Sequence, residues 1–375
     1  MNALPLLAAL AAPQAPKAAA LPTHEEVREG IDRGLALILR EQNKDGSWGG
    51  PRNKTFTDSF ANPETHHAWA VATTGLVCVA LLELGEEPQA ASALERGLDY
   101  LVANADLDRP ADWDIDNAWG FIYGLDGLSR ALLSPRFAGS PKRDAMRAAG
   151  AKFLDGMARY QSPNGGWGYY ADAEAAWRPE WATSFTTAAG VIALADARKA
   201  GFAVPEKVME GSVRAVKRCR LPSGAYSYSV MAIPYSRGME WIDEVKGSLS
   251  RIQVCNLALL RAGEAVPVEE RRRGLELFFE HHRFLDVALH KPIPHEAYYF
   301  NSGYFYLFGH YYAAELIATL PAAERAAYWG RLQREILKTQ EGDGGMWDFW
   351  ISSHTKPYGT SFGILALGRS IEPIG

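Results

Sequence analysis

The sequence predicts an all-α fold, an α6/α6 toroid in which six helical hairpins form an inner and an outer ring. Three observations carry this. A helix-turn pattern recurs along the 375 residues. A second set of helices has no polar face and so must be covered on all sides. The connections are short at one end of the helices and long at the other.

The pattern opens after a leader. Leu4 to Ala12 form a short apolar run, followed by Pro13, Pro16 and small residues to Ala20. Residues 1–22 therefore read as a secretory signal or a disordered leader, exported to the periplasm in the first case and cytoplasmic in the second. Residues 23–375 read as a single toroid domain. Thr23 and Glu26 form a capping box, and Val27, Ile31, Leu35 and Ile38 then recur at helical spacing. The helix ends at Gln42 and turns through Asp45-Gly46-Ser47-Trp48-Gly49.

A second copy runs through Met146, Ala149, Phe153 and Met157 to Gln161 and Asn164-Gly165-Gly166-Trp167. A third runs through Leu332 and Ile336 to Gln340 and Asp343-Gly344-Gly345-Met346-Trp347. Looser copies start near Gly97, Val213 and Gly274, a period of roughly 50 to 65 residues that suits a helical hairpin with a loop. The turn glycines supply positive φ, and the tryptophans staple neighbouring helix ends. The apolar helices carry Thr74–Leu81, Trp119–Leu132, Thr187–Leu194, Leu249–Leu260, Gly303–Leu320 and Ser361–Leu367. Small residues in them, such as Ala188, Ala189, Gly190, Gly363 and Ala366, suit close helix approach in a tight ring.

Composition is 47% hydrophobic and 22% charged, which places the chain among folded globular proteins. The net charge of -5, without a basic stripe, argues against nucleic acid as a partner. Cys78, Cys219 and Cys255 are too few for a disulfide framework. After the leader no stretch is expected to reach the ~20 apolar residues of a membrane span. Oligomeric state is left open.

The long connections, such as Gly49–His67, Asp106–Asn117, Gly168–Trp181, Ala225–Gly247, Asp286–Asn301 and Met346–Tyr358, precede the apolar helices, so a site is expected at that mouth. Its candidate lining includes His66, Trp69, Trp113, Trp177, Trp181, Tyr235, Glu240, Asp243, His295, Asp348, Trp350, His354 and Tyr358. Such a cup suits an apolar polyene or sugar rings. Asp114 and Asp116 begin an inner helix as candidate acids. Trp69, Asn117, Trp119, Trp181, Tyr304, His310, Tyr311 and Tyr358 are the candidate substrate-binding residues.

The Gln-x-x-x-Gly-x-Trp pattern of Gln42, Gly46 and Trp48, and more loosely Gln161, Gly165 and Trp167, resembles the repeat shared by squalene cyclases and protein prenyltransferase β-subunits. The resemblance covers the chain after residue 23. It implies a polyprenyl substrate, with Asp116 in the place of the acid of an Asp-x-Asp-Asp motif and Asp114 beside it; here Asn117 stands where the last Asp would be. The zinc set of prenyltransferases would fall on Gln253, Cys255 and His310, where Gln253 replaces an Asp, so no metal or cofactor is expected. Pro163-Asn164-Gly165-Gly166-Trp167 also resembles a turn of toroidal pectate lyases, for which Arg237, Glu240, Asp243 and Arg251 are candidate groups. Three functions stay open: a terpenoid-cyclase or prenyltransferase-like enzyme, a carbohydrate-active toroid, and a non-catalytic binding scaffold.

Overall fold

The structure is a computed structural model, described here for residues 20–50, 61–109, 114, 116–169, 181–230, 241–349 and 353–371. The leader through residue 19 and Trp113, Trp177, Tyr235, Arg237, Glu240 and Trp350 lie outside the described residues. The helices are α1 His24–Arg40, α2 Pro63–Leu84, α3 Pro88–Ala103, α4 Asn117–Leu133, α5 Arg143–Tyr160, α6 Ser184–Lys199 and α7 Glu206–Arg218. They continue with α8 Leu249–Arg261, α9 Val268–Glu280, α10 Arg283–Asp286, α11 Phe305–Ala318, α12 Ala322–Leu337 and α13 Thr355–Ile371. The described residues contain no strand, only isolated bridges.

Helices α2, α4, α6, α8, α11 and α13 form the inner ring. Each packs on the next, and α13 packs back on α2, so the ring closes into an α/α toroid. Helices α1, α3, α5, α7, α9 and α12 lie outside. Each outer helix from α3 onward packs chiefly on the inner helix before it in the chain, across the short turn. Helix α1 packs on α13. The N-terminal helix therefore closes the outer layer over the C-terminal one.

The capping box at Thr23 and Glu26 forms as expected, with both reciprocal bonds present. The recurring turn explains its residues in full. The side-chain amide of Gln42 donates to its own turn at Gly46 O (3.0 Å) and to Ala93 O on the next outer helix (2.9 Å). Gln161 does the same with Gly165 O and Val208 O. Gln340 repeats it with Gly344 O and Gly30 O, the latter on α1 across the closure. Gly46, Gly165 and Gly344 have φ of 93°, 89° and 90° and sit against a carbonyl of that same neighbouring helix, so a side chain is excluded twice.

Trp48 and Trp167 donate their indole N–H to Ile38 O and Met157 O, and their main-chain N–H to Thr74 and Thr187. In the third copy Met346 takes this position, its N–H donating to Thr360. Trp347 is released to stack on His290 at 3.8 Å between ring centroids. The small residues of the inner helices differ in use from expectation. Gly190 and Gly363 make room for Trp167 and Met346, while Gly75 and Gly127 are where α2 and α4 backbones meet. Helix α2 also exceeds the expected apolar length: it is long and apolar enough to cross a membrane, yet it lies buried within the ring.

The far end of the ring, where the inner helices finish, is closed by charge. Glu83 of α2 pairs with Arg130 of α4 (2.8 Å), Arg130 with Asp196 of α6 (3.7 Å), and Asp196 with Arg261 of α8 (3.8 Å). Arg261 pairs with Glu315 of α11 (2.8 Å), Glu315 with Arg369 of α13 (2.8 Å), and Arg369 returns to Glu83 (3.5 Å). Each inner helix contributes one charge, and the signs alternate round the circuit. Asp126 and the Tyr311 hydroxyl add further partners for Arg130. Burial alone would raise the Glu315 carboxyl, but Arg369, Arg130 and Arg261 hold it below the usual carboxylate range.

Removing one member of a buried ion network leaves its partners uncompensated. Arg130→Met should therefore lower unfolding stability by roughly 3 to 5 kcal/mol in urea titration. Lys152→Met, which breaks the exposed Lys152–Asp106 pair, should cost less than about 1 kcal/mol.

Candidate active site

At the opposite end the inner helices begin, and the connecting segments gather around their N-termini. Asp116 caps α4, but with φ 64° and ψ 10°, a left-handed conformation uncommon for a residue with a side chain. That backbone leaves its carboxylate making no bond to the first-turn amides. The Ala118 N–H is taken instead by Tyr169 O at 3.1 Å. The Asp116 carboxylate accepts the Trp69 indole N–H at 3.2 Å. Burial pushes Asp116 up to about 7, against the opposing pull of the Trp69 bond. It is a carboxylic acid that carries its proton near neutral pH.

The wall beside it holds His66, Trp69 and His354. The two imidazoles approach at 3.2 Å between Nδ1 and Nε2, and the Trp69 ring meets both edge-on. A second buried acid, Asp348, accepts the Leu307 N–H at 2.8 Å and the Tyr358 hydroxyl at 3.1 Å. Burial pushes it too up to about 7, despite those bonds.

A polar wall comes from the segments before α6, α8 and α11. The Tyr169 hydroxyl bonds to Tyr228 and lies 3.4 Å from that of Tyr304. Tyr304 and Tyr228 reach His295 Nε2 at 3.0 and 3.3 Å. His295 Nδ1 is 2.7 Å from Phe300 O. A carbonyl only accepts, so Nδ1 carries the hydrogen and Nε2 is the acceptor. Burial lowers the His295 pKa and keeps the ring neutral. Below this wall Phe185 meets Tyr304, Tyr228, Phe305 and Phe308. Trp119 of α4 meets Phe308 of α11, and Tyr123 reaches the Tyr312 hydroxyl at 3.3 Å. These contacts cross the lumen and form an aromatic floor.

The structure brings Trp69, Asp116, Trp181, Tyr304 and Tyr358 to this cup, with Trp119 in its floor; Trp181 packs edge-on against Tyr169. Asn117 is buried in the first turn of α4. Asp114 is buried, its carbonyl receiving Arg109 Nε. Tyr311 points to the charged end, where Arg130 donates to it. His310 faces the outer layer: its Nε2 lies 3.0 Å from His282 Nε2, and its Nδ1 bonds Tyr306 O. A helix apolar all round gives no sequence cue to which side faces the lumen.

Gln253 bonds Leu249 O and Gly274 O, and Cys255 bonds Ser184 O, so each is spent on backbone. Among the described residues, His282, Asp286 and Glu335 group as metal-ligand types, but the Lys338 ammonium already bridges both carboxylates. Tyr169, Tyr228, Arg251 and the floor residues Phe185 and Phe308 are among the site residues not assigned to substrate from the sequence. The first two follow a Gly-x-Trp or Gly-Ala-Tyr turn by two residues, a register visible only once the turns are aligned.

Fold and site together define an α/α toroid with a buried acid of raised pKa among aromatic rings. Searches against protein-family models and curated protein sequences find no match. Solved structures do match. The apo type II terpene cyclase MstE from Scytonema aligns over 92% of this chain and 98% of its own, with a TM-score of 0.52 and 15% identity. Unsaturated glucuronyl hydrolase from Bacillus sp. GL1 aligns over 92% and 97%, with a TM-score of 0.62 and 12% identity. An inactive variant of the α-1,6-mannanase GH76A of Salegentibacter sp. HEL1_6 aligns over 92% and 97%, at 0.53 and 13%. These likenesses establish the toroid; they span terpenoid and carbohydrate chemistry alike.

The raised Asp116 acid has a signature in stability. Its folded pKa of about 7 exceeds the ordinary 3.8, so ionising it penalises the fold as pH rises between those values. Asp116→Asn has no charge to form. Relative to wild type it should gain roughly 2 to 4 kcal/mol between about pH 4 and pH 8 in urea titrations.

Proposed function

We propose that the protein is a terpenoid-cyclase-like enzyme that begins its reaction by proton transfer from Asp116 to an isoprenoid-bearing substrate in the cup. The observation that carries this reading is a buried carboxylic acid, freed from its helix cap and bonded to the Trp69 indole. Protonation of an alkene forms a C–H bond from the π electrons and leaves a carbocation. The faces of Trp119, Phe185 and Phe308 stabilise such a cation. Deprotonation of the cation restores a double bond, and the neutral His295 Nε2, reached through Tyr304, is the base in the same cup.

A second reading has its own support. Asp348 is a second raised carboxyl group near the same mouth, and paired carboxyl groups with unlike tasks serve glycoside chemistry. Sugar rings would then stack on Trp69, Trp181 or Tyr304.

Turnover assays with geranylgeranyl-type polyenes and with unsaturated or aryl glycuronides separate the two. On the first reading polyenes are cyclised and glycuronides are inert. Asp116→Asn should lose about 10²- to 10⁴-fold in rate while staying folded. Wild-type activity should fall as pH rises through about 7, where Asp116 loses its proton. Trp69→Phe removes the bond that lowers the Asp116 pKa, so that alkaline limb should move to higher pH. Turnover of neither substrate class, at any pH, would favour the non-catalytic scaffold.

A further inference from the structure

Arg251, in the first turn of α8, is fully buried. Its Nε donates to Tyr226 O at 3.1 Å and its Nη2 to Ile242 O. Its Nη1 is buried with no hydrogen-bond partner. An unmet donor on a buried cation is among the costliest features a fold can keep. Among the described residues no carboxylate lies within ion-pair distance of it. Asp243 acts on it only at longer range and accepts the Tyr228 N–H at 2.5 Å. The guanidinium lies over the Tyr228 and Phe305 rings, at 5.5 and 5.7 Å from their centroids.

Its surroundings belong to the cup. The charge of Arg251 is felt at Tyr169, Tyr304 and His295, and Tyr169 and Tyr304 also feel Asp116. The two tyrosines thus lie near both cation and acid. The hydroxyls of Tyr228 and Tyr304 both reach the single lone pair of His295 Nε2, while that of Tyr169 bonds Tyr228 and lies 3.4 Å from that of Tyr304. Nε2 accepts only one of the two protons, so the other is held by a neighbouring tyrosine oxygen alone and can turn to a ligand.

We propose that Arg251 anchors a carboxylate on the substrate, with the Tyr169–Tyr228–Tyr304 hydroxyls as neutral co-donors. The inference rests on the acid-catalysed reading of the same cup and names the head group that enters it. Charge count selects a carboxylate. Among the described residues near this mouth, Lys246 is engaged by the Tyr299 hydroxyl and Lys356 by Glu341 and Asp343. One guanidinium with one free nitrogen matches a monoanion, whereas a diphosphate would bring two or more charges against it. The carboxylate has two sources, an isoprenoid acid or a uronic acid.

The test is calorimetric binding to the full chain. Geranylgeranoic acid is compared with geranylgeraniol, a glucuronide with the matching glucoside, and benzoate with inorganic phosphate. In wild type at least one acid should bind about tenfold or more tightly than its neutral counterpart. The pair that shows the difference identifies the source. In Arg251→Gln that preference should collapse to within about twofold, with the neutral ligand unaffected. Equal binding of acid and neutral partner in both wild-type pairs would overturn the proposal. So would a preference retained in the variant, or phosphate binding more tightly than benzoate. If Arg251→Gln does not fold, the wild-type comparison decides alone. Failure of the Asp116 reading shows separately, as unaltered turnover in Asp116→Asn with the acid preference intact.

Discussion

The circuit of alternating charges at the ends of the inner helices is the constraint on which the toroid depends. Each acid in it sits at a helix C-terminus, where the dipole disfavours negative charge. It is tolerated because an arginine from each neighbouring helix faces it. The circuit closes only if signs alternate all the way round, so insertion or loss of one inner helix would place two like charges together in a buried site. Register is held by the same device: a slide of one helix by a turn, about 5.4 Å, exceeds any of these contacts. The turn glutamines carry the same closure to the outer layer, since Gln340 reaches Gly30 on α1 as Gln42 reaches Ala93 on α3.

Sealing one end decides where chemistry can occur. The lumen is blocked by charges at one end and by aromatic rings midway, leaving the N-terminal mouth of the inner ring. That mouth carries the positive ends of helix dipoles, surroundings that normally keep a carboxylate ionised. Asp116 escapes this by its left-handed backbone, which turns the carboxylate away from the first-turn amides and toward an indole. Asp348 does not escape, since it takes the Leu307 amide at the start of α11, and only its complete burial holds it up. Two acids with similar pKa therefore owe it to different balances: ionising Asp348 would strengthen its hold on the Leu307 amide, whereas Asp116 has no such amide bond to gain.

Much of this was legible in the sequence. Repeated Gln and Gly positions, the capping box and the apolar second helices specify helices, turns and ring. Asp116 and the tyrosines of α11 were visible because they sit at element boundaries or in a conspicuous run. The charge circuit was not read, although its signal is present: Glu83, Arg130, Asp196, Arg261, Glu315 and Arg369 alternate in sign near the ends of successive apolar helices. Single charges there look like ordinary helix ends until the ring brings them together. The direction of His310 was illegible for a different reason, because a helix buried on all sides has no period to reveal its inner face. The grouping of Tyr169, Tyr228, His295 and Arg251 depends on three connections meeting in space, which no local pattern encodes.

The distribution of polarity within the cup bears on which substrates it can hold. Its floor, from Trp119, Phe185 and Phe308, offers chiefly ring faces, with the Tyr123 and Tyr312 hydroxyls 3.3 Å from each other. A sugar pressed against it would leave hydroxyls unmet, at about 1 to 3 kcal/mol each. A hydrocarbon tail loses nothing there and gains from the burial. Polar capacity is concentrated on one wall, in three tyrosines, His295 and Arg251, with Asp116 on another. An amphiphile whose chain lies on the floor and whose head meets the tyrosine wall satisfies every surface at once. A polyhydroxylated ring fits only if it stays at the rim among Trp69, Trp181 and Tyr358, above the floor. The same acid could serve either molecule, so it is the depth at which the substrate rests, set by these aromatic side chains, that separates the two chemistries.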